Sequence, residues 1–201
     1  MVKQIDRFII GIGIFGCETL LYWENNYECD FHSSLIFDNR TEELIQKKLN
    51  TSNSDIISKK AIFNASNEMN FDKLPHYRFL FNQVKSSTDV IVLLNFSESF
   101  SNTFIINIFK KIQSYFKNIH VFAVLPFSFE GEFKKDKAMA QVEELKKIGI
   151  KFEVLDDQKT KSKYTKKTTL NEAYKNSYEH IAKKLDLKKV LKTGDEKPSK
   201  L

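Results

Sequence analysis

Apolar and polar positions along this chain switch repeatedly between short uninterrupted runs and helical spacing. Residues 7–12 form a compact apolar run, and residues 16–26 then carry apolar side chains at helical intervals. Residues 34–37 read as a strand. Residues 41–49 read as a helix, because Thr41 can cap it and Glu42 and Glu43 follow in the first turn. Residues 60–63 form another short run, and 75–85 a helix with Pro75 in its first turn, where a missing N–H is tolerated. Residues 89–94 (DVIVLL) and 120–125 (HVFAVL) are almost wholly apolar, the pattern of strands covered on both faces in a parallel sheet. Between them, Phe104, Ile105, Ile108, Phe109, Ile112, Tyr115 and Phe116 share one wide helical face of residues 101–116, expected to be core rather than a binding surface. A helix over 134–147 stopped at Gly149, a strand over 151–155 and a helix over 170–185 complete the pattern.

Six such alternations predict an α/β fold, a Rossmann-like parallel sheet with helices on both faces, because right-handed crossovers place helices on either side. Ligands in this architecture bind beyond the carboxyl ends of the strands. Residues 1–186 are expected to form one domain, and the apolar-poor residues 187–201 a basic mobile tail.

The composition, 201 residues with 41% hydrophobic and 29% charged, excludes a fibrous or low-complexity protein. The net charge of +6 is unevenly placed: residues 1–133 carry 13 basic and 15 acidic groups, residues 134–201 carry 19 and 11. Five of those lysines fall in residues 159–167, with only Tyr164 among them. That lacks the interleaved aromatic pattern of a nucleic-acid binder, so a solvated segment is expected there in place of a nucleic-acid or anionic-lipid site. Cys17 and Cys29 have no His or Cys neighbours at metal-ligand spacing, so no metal site is expected, and reduced cysteines fit a cytoplasmic protein. No apolar run reaches the length of a membrane span, and no signal-peptide core follows Met1. His32, His76, His120 and His180 are scattered, and no nucleophile, base and orienter can be assembled.

Only 6 glycines and 3 prolines occur, which leaves little material for phosphate-wrapping loops. Three of the glycines, Gly11, Gly13 and Gly16, form a G-x-G-x-x-G turn directly after the first strand, where helix N-terminal amides can face a phosphate. The same spacing also serves a tight strand–helix junction with no ligand, or a dinucleotide site with Asp38 as ribose partner. It is not a P-loop, since Cys17 and Glu18 stand where Lys and Ser or Thr would be needed.

Further on, the strand HVFAVL runs into Pro126-Phe127-Ser128-Phe129-Glu130-Gly131, and Val142-Glu143-Glu144-Leu145-Lys146-Lys147 follows in the next helix. This closely resembles the bacterial FtsZ branch of the tubulin/FtsZ family, with its PFSFEG-like turn and EEL-containing helix. The stretches IIGIGIFGC (residues 9–17), DVIVLL and KTTLNEAY (residues 167–174) are similar to that family's first glycine loop, its fourth strand and the start of its long central helix. The resemblance covers about residues 5–186, the nucleotide-binding domain. It implies a nucleotide pocket whose remnant would comprise Gly11, Gly13, Gly16, Thr103, Glu130 and Lys134, with Lys134 standing where the family has Arg.

The departures from the family pattern are located. Its glycine-rich signature loop corresponds to residues 98–104, Glu98-Ser99-Phe100-Ser101-Asn102-Thr103-Phe104, which contain no glycine. A cradle for phosphate needs free backbone turning and no negative side chain, so Glu98 is expected to repel a triphosphate and Phe100 and Phe104 to add bulk. Ile14 and Phe15 replace small residues of the first loop, Glu18 replaces a polar one, and Tyr178 falls where the family recognises guanine. Asp186 and Asp195 do not form the acidic motif that completes hydrolysis in the family, and a second domain is not expected in the residues after Leu185. The resemblance therefore implies a degenerate FtsZ-like pseudo-GTPase without a cofactor. It would act as a cytoskeletal or cell-division interaction or regulatory module, its protein partner a true FtsZ or a second copy. The alternative is a divergent FtsZ-like protein that still binds GTP or GDP and self-assembles.

Overall fold

The computed structural model describes residues 7–28, 32–37, 60–64, 89–98, 100, 102–155 and 169–190. The helices expected over 41–49 and 75–85, the lysine-rich segment 159–167, Asp38, and residues 191–201 of the tail lie outside the described residues.

In chain order the elements are β1 (Arg7–Ile12), α1 (Gly13–Asn26), β2 (His32–Phe37), β3 (Lys60–Asn64), β4 (Asp89–Asn95), α2 (Asn102–Tyr115), β5 (Asn118–Val124), α3 (Glu132–Lys147), β6 (Phe152–Leu155) and α4 (Leu170–Lys184). A single 3-10 turn, Ser128–Glu130, lies in the PFSFEG segment between β5 and α3. The six strands form one parallel sheet in the order β3-β2-β1-β4-β5-β6, with the chain reversing direction across the sheet between β3 and β4. This is the α/β, Rossmann-like arrangement that the alternation predicts, and its switch point lies between β1 and β4, where a crevice opens at the strand ends.

Successive residues of the central strands point to opposite faces, and each face has its own core. Phe8, Ile10, Ile12, Val90, Val92, Leu94, Val121 and Ala123 pack under α2 and α3. Ile9, Ile91, Leu93, Phe122 and Val124 pack under α1 and α4. The wide face of α2 is core as expected: Phe104, Ile105, Ile108, Phe109 and Ile112 are all buried. Phe100 and Phe104 stack on each other, ring centroids 5.3 Å apart, and both belong to the α2 and α3 core.

Several boundaries differ from the sequence reading, among them the start of β2 at His32 rather than residue 34. α1 starts at Gly13 rather than residue 16, so the glycine turn itself is the first turn of the helix. β5 starts at Asn118, since Asn118 and Ile119 pair with Asp89 and Val90 of β4. α3 starts at Glu132, immediately after Gly131, whose φ of +100° is a conformation suited to glycine. Beyond α4 the chain folds back. Glu28 N–H donates to the Lys188 carbonyl, Val190 N–H to the Asn26 carbonyl, and Arg7 Nη1 to the Leu185 carbonyl at 2.6 Å. Residues up to Val190 are thereby tied to the far end of α1.

Candidate functional site

β1 delivers the chain to the strand-end crevice at Ile12, and α1 begins at once. The turn between them requires glycine at position 13, where φ is +73°. A Cβ on Gly13 would lie 1.7 Å from Glu98 Oε2 and 2.8 Å from the Phe100 ring. Glu98 follows β4, and its two carboxylate oxygens accept hydrogen bonds from the backbone N–H groups of Ile14 (2.9 Å) and Phe15 (2.7 Å). These donors belong to the first turn of α1 and have no acceptor within the helix. The residue before the helix, Ile12, offers no side-chain cap. A carboxylate at the positive end of a helix dipole is favourable, and its bonds to N–H are of the stronger, charge-assisted kind. Two of the amides that such a turn would offer to a phosphate are therefore bound to an anion from the same chain.

Gly11 and Gly16 serve close packing. A Cβ on Gly11 would meet the Gly16 backbone at 2.7 Å, and one on Gly16 would meet Gly11 at 2.5 Å and the Leu93 carbonyl oxygen at 2.9 Å. The two glycines let α1 approach β1 and β4 closely.

Aromatic side chains occupy the space between α1 and α4. Phe15 is buried and lies edge-on to Tyr174 at 5.7 Å and tilted against Tyr178 at 5.4 Å. Tyr22 also meets Tyr178, at 5.5 Å, and Phe127 meets Tyr174 at 5.3 Å. The polar ends of these rings are satisfied inside the protein. Asn95 Nδ2 donates to the Tyr174 hydroxyl at 2.8 Å, while Asn95 Oδ1 accepts from the Ser97 N–H at 2.8 Å. Tyr178 donates to Glu18 at 3.3 Å, and Trp23 Nε1 donates to the Tyr178 carbonyl at 2.9 Å. Burial pushes both phenols above their ordinary range, and the Glu18 carboxylate pushes Tyr178 further.

On the far side of Tyr174, Glu130 closes the PFSFEG turn. Its Oε1 accepts from the Phe127 N–H at 3.0 Å, and its Oε2 accepts from Lys134 Nζ at 3.0 Å. Glu130 is thereby occupied by its own turn and by Lys134. Thr103 takes the second position of α2.

Of the residues that the sequence singles out, Gly11, Gly13 and Gly16 meet at the β1–α1 junction, and Glu130 and Lys134 pair with each other. Tyr174 and Phe127 lie between those two groups, joined to the first through Phe15. Sequence reasoning anticipated Glu98 near the phosphate turn only as a source of repulsion and missed that it caps α1. It also missed Asn95, Ser97 and Tyr174 as a bonded set. The strand-end position of Asn95 and the start of the KTTLNEAY helix were the available signals.

No family model matches the sequence, and no curated protein does. Solved structures do match. FtsZ of M. jannaschii superposes with a TM-score of 0.62 at 17% identity, covering 90% of this chain and 55% of that one. CetZ of Methanosaeta thermophila gives 0.62 at 15% identity over 90% and 52%. TubZ of Bacillus thuringiensis serovar israelensis, in GDP-form protofilaments, gives 0.60 at 12% over 96% and 58%. The chain has a tubulin/FtsZ-like fold. It spans a little over half the length of these structures. In this tubulin/FtsZ-like fold, no described helix is long and apolar enough to cross a membrane. Among the described residues, no group of three or more His, Cys, Asp or Glu is placed to hold a metal ion.

Proposed function

We propose that this chain is a degenerate FtsZ-like pseudo-GTPase that works as a cytoskeletal or cell-division interaction or regulatory module. The observation that carries the reading is the Glu98 carboxylate on the Ile14 and Phe15 amides in the first turn of α1. In the family that the sequence resembles, the loop after the fourth strand wraps the terminal phosphates of GTP. Here that stretch has no glycine, and its first residue supplies the negative charge itself. A phosphate placed about 4 Å from this carboxylate meets repulsion of roughly 4 kcal/mol per unit charge at an effective dielectric of 20, and finds the Ile14 and Phe15 donors already taken. Tyr178, which falls where the resemblance puts guanine recognition, is packed against Phe15 and bonded to Glu18, which supports the reading.

The proposed partner is a protein filament of FtsZ type or a second copy of this chain. TubZ, which shares the fold, is solved as a protofilament. Phe129 and Phe133, 70% and 83% exposed at the strand-end face, offer apolar contact to such a partner.

Purified protein is expected to carry no guanine nucleotide and to release no phosphate from GTP. Co-sedimentation with filaments of the host's FtsZ, or self-assembly seen by light scattering, tests the partner. Bound GDP or GTP after purification would favour the alternative, a nucleotide-binding FtsZ-like protein. The absence of any assembly or co-sedimentation would remove the interaction role.

A further inference from the structure

At the opposite end of the sheet from the α1 turn, where β5 and β6 begin, lies a cavity of about 430 Å³. That volume falls within the range of about 300–1,000 Å³ common for small-molecule sites. Its floor is apolar: Phe116 and Ile150 are buried and Ile119 is half-buried against the α2 and α3 core. Lys117, His120 and Lys151 also line it, and no carboxylate among the described residues does. None of these three side chains has an ion-pair or hydrogen-bond partner among the described residues, whereas Lys134, Lys146, Lys147, Lys184 and Lys189 are each paired with a glutamate.

Both α2 and α3 end beside the cavity, and the carbonyl ends of helices attract cations. At α3 those carbonyls are already occupied. Gly149, with φ +78°, donates its N–H to the Lys146 carbonyl at 3.0 Å, and the Ile150 N–H reaches the Leu145 carbonyl at 3.3 Å, a Schellman closure. Gln113 Nε2 donates to the Ile148 carbonyl at 3.1 Å. Those carbonyls thus have donors other than Lys117 and Lys151, which line the cavity.

We propose that this cavity binds a small organic anion, a carboxylate or phosphate monoester on a flat apolar body. The acid group meets Lys117, His120 and Lys151, and the body rests on Phe116, Ile119 and Ile150. The site is remote from the strand-end crevice and does not depend on the function proposed above.

Titration of the full chain with benzoate, phenyl phosphate, benzamide and inorganic phosphate, followed by backbone amide resonances, tests this. Saturable shifts are expected for residues 116–120 and 149–151 with an aryl anion, and the tighter of the two aryl anions identifies the acid group. Neutral benzamide and body-less inorganic phosphate are expected to bind at least about tenfold more weakly, because each lacks one half of the recognition. The exposed pair Lys117→Gln and Lys151→Gln together should weaken aryl-anion binding by a similar factor. The proposal is overturned if neither aryl anion shifts these resonances, if benzamide or inorganic phosphate binds equally well, or if the double variant binds unchanged. Should the double variant fail to fold, the four-probe series on the unmodified chain decides alone.

Discussion

Glu98 does for α1 what is ordinarily divided between a capping side chain and a bound anion. It satisfies two orphan N–H groups, sits at the positive end of the helix, and makes a glycine obligatory at position 13. Glu98→Ala is therefore expected to destabilise the protein by about 1.5–3 kcal/mol, the usual worth of hydrogen bonds to a charged group. At about 2–4 °C per kcal/mol for a chain of this size, a thermal melt reads the loss directly. Gly13→Ala combines a strained φ with collision against the Glu98 carboxylate, so the double change Gly13→Ala with Glu98→Ala should cost less than the sum of the single changes. Strict additivity would show that Glu98 does not hold the turn. The family resemblance sets Glu98 near the phosphate turn, but its bonds to α1 were not legible in the sequence. Glu98 and Ile14 are 84 positions apart, and only the parallel pairing of β1 with β4 brings the ends of those strands together.

Among the elements, the buried strands and the apolar face of α2 were legible because their patterns follow the period of the structure they form. Boundaries were less so. Glycine is a poor helix former, so the pattern alone does not mark the glycine turn as helix, yet Gly13 opens α1 with its amide neighbours held by Glu98. The start of β5 was read late because Asn118 is polar, yet pairing with β4 fixes it. α4 shows a cap that the residues do announce. Thr169 accepts from the Glu172 N–H, and the Glu172 carboxylate accepts from the Thr169 N–H and hydroxyl. Thr169→Ala should cost about 1 kcal/mol, measurable by denaturant unfolding; an unchanged midpoint would contradict the capping role. The bonds from the Thr169 backbone and hydroxyl hold the Glu172 carboxyl below its ordinary value of 4.5. Its contribution is present above that value and fades as pH falls through the lowered one.

Across the whole molecule, α1 and α4 meet through Tyr22 and Tyr178, whose hydroxyls bond the Glu179 and Glu18 carboxylates. Burial, then the hydrogen bond to Glu179, pushes Tyr22 up to about 12, and burial raises Tyr174 and Tyr178 as well. The folded chain thus keeps protons that the unfolded chain releases near pH 10. The stability from these groups is complete below pH 10 and declines as pH rises from there toward about 12. Melting curves across that window should fall, and Tyr178→Phe should make the fall shallower. If tyrosinate absorbance showed all the tyrosines ionising together near 10 in the folded state, the packing of α1 on α4 described here would be wrong. That packing also bears on nucleotide, because Phe15, Tyr174 and Tyr178 stand between the glycine turn and the PFSFEG turn. On the function proposed above, the Glu98 carboxylate at one end and this ring cluster at the other close the strand-end crevice to guanine nucleotides from within. Calorimetric titration of the full chain with GTP and magnesium tests it most directly: the account predicts no saturable heat, and binding in the micromolar range would contradict it.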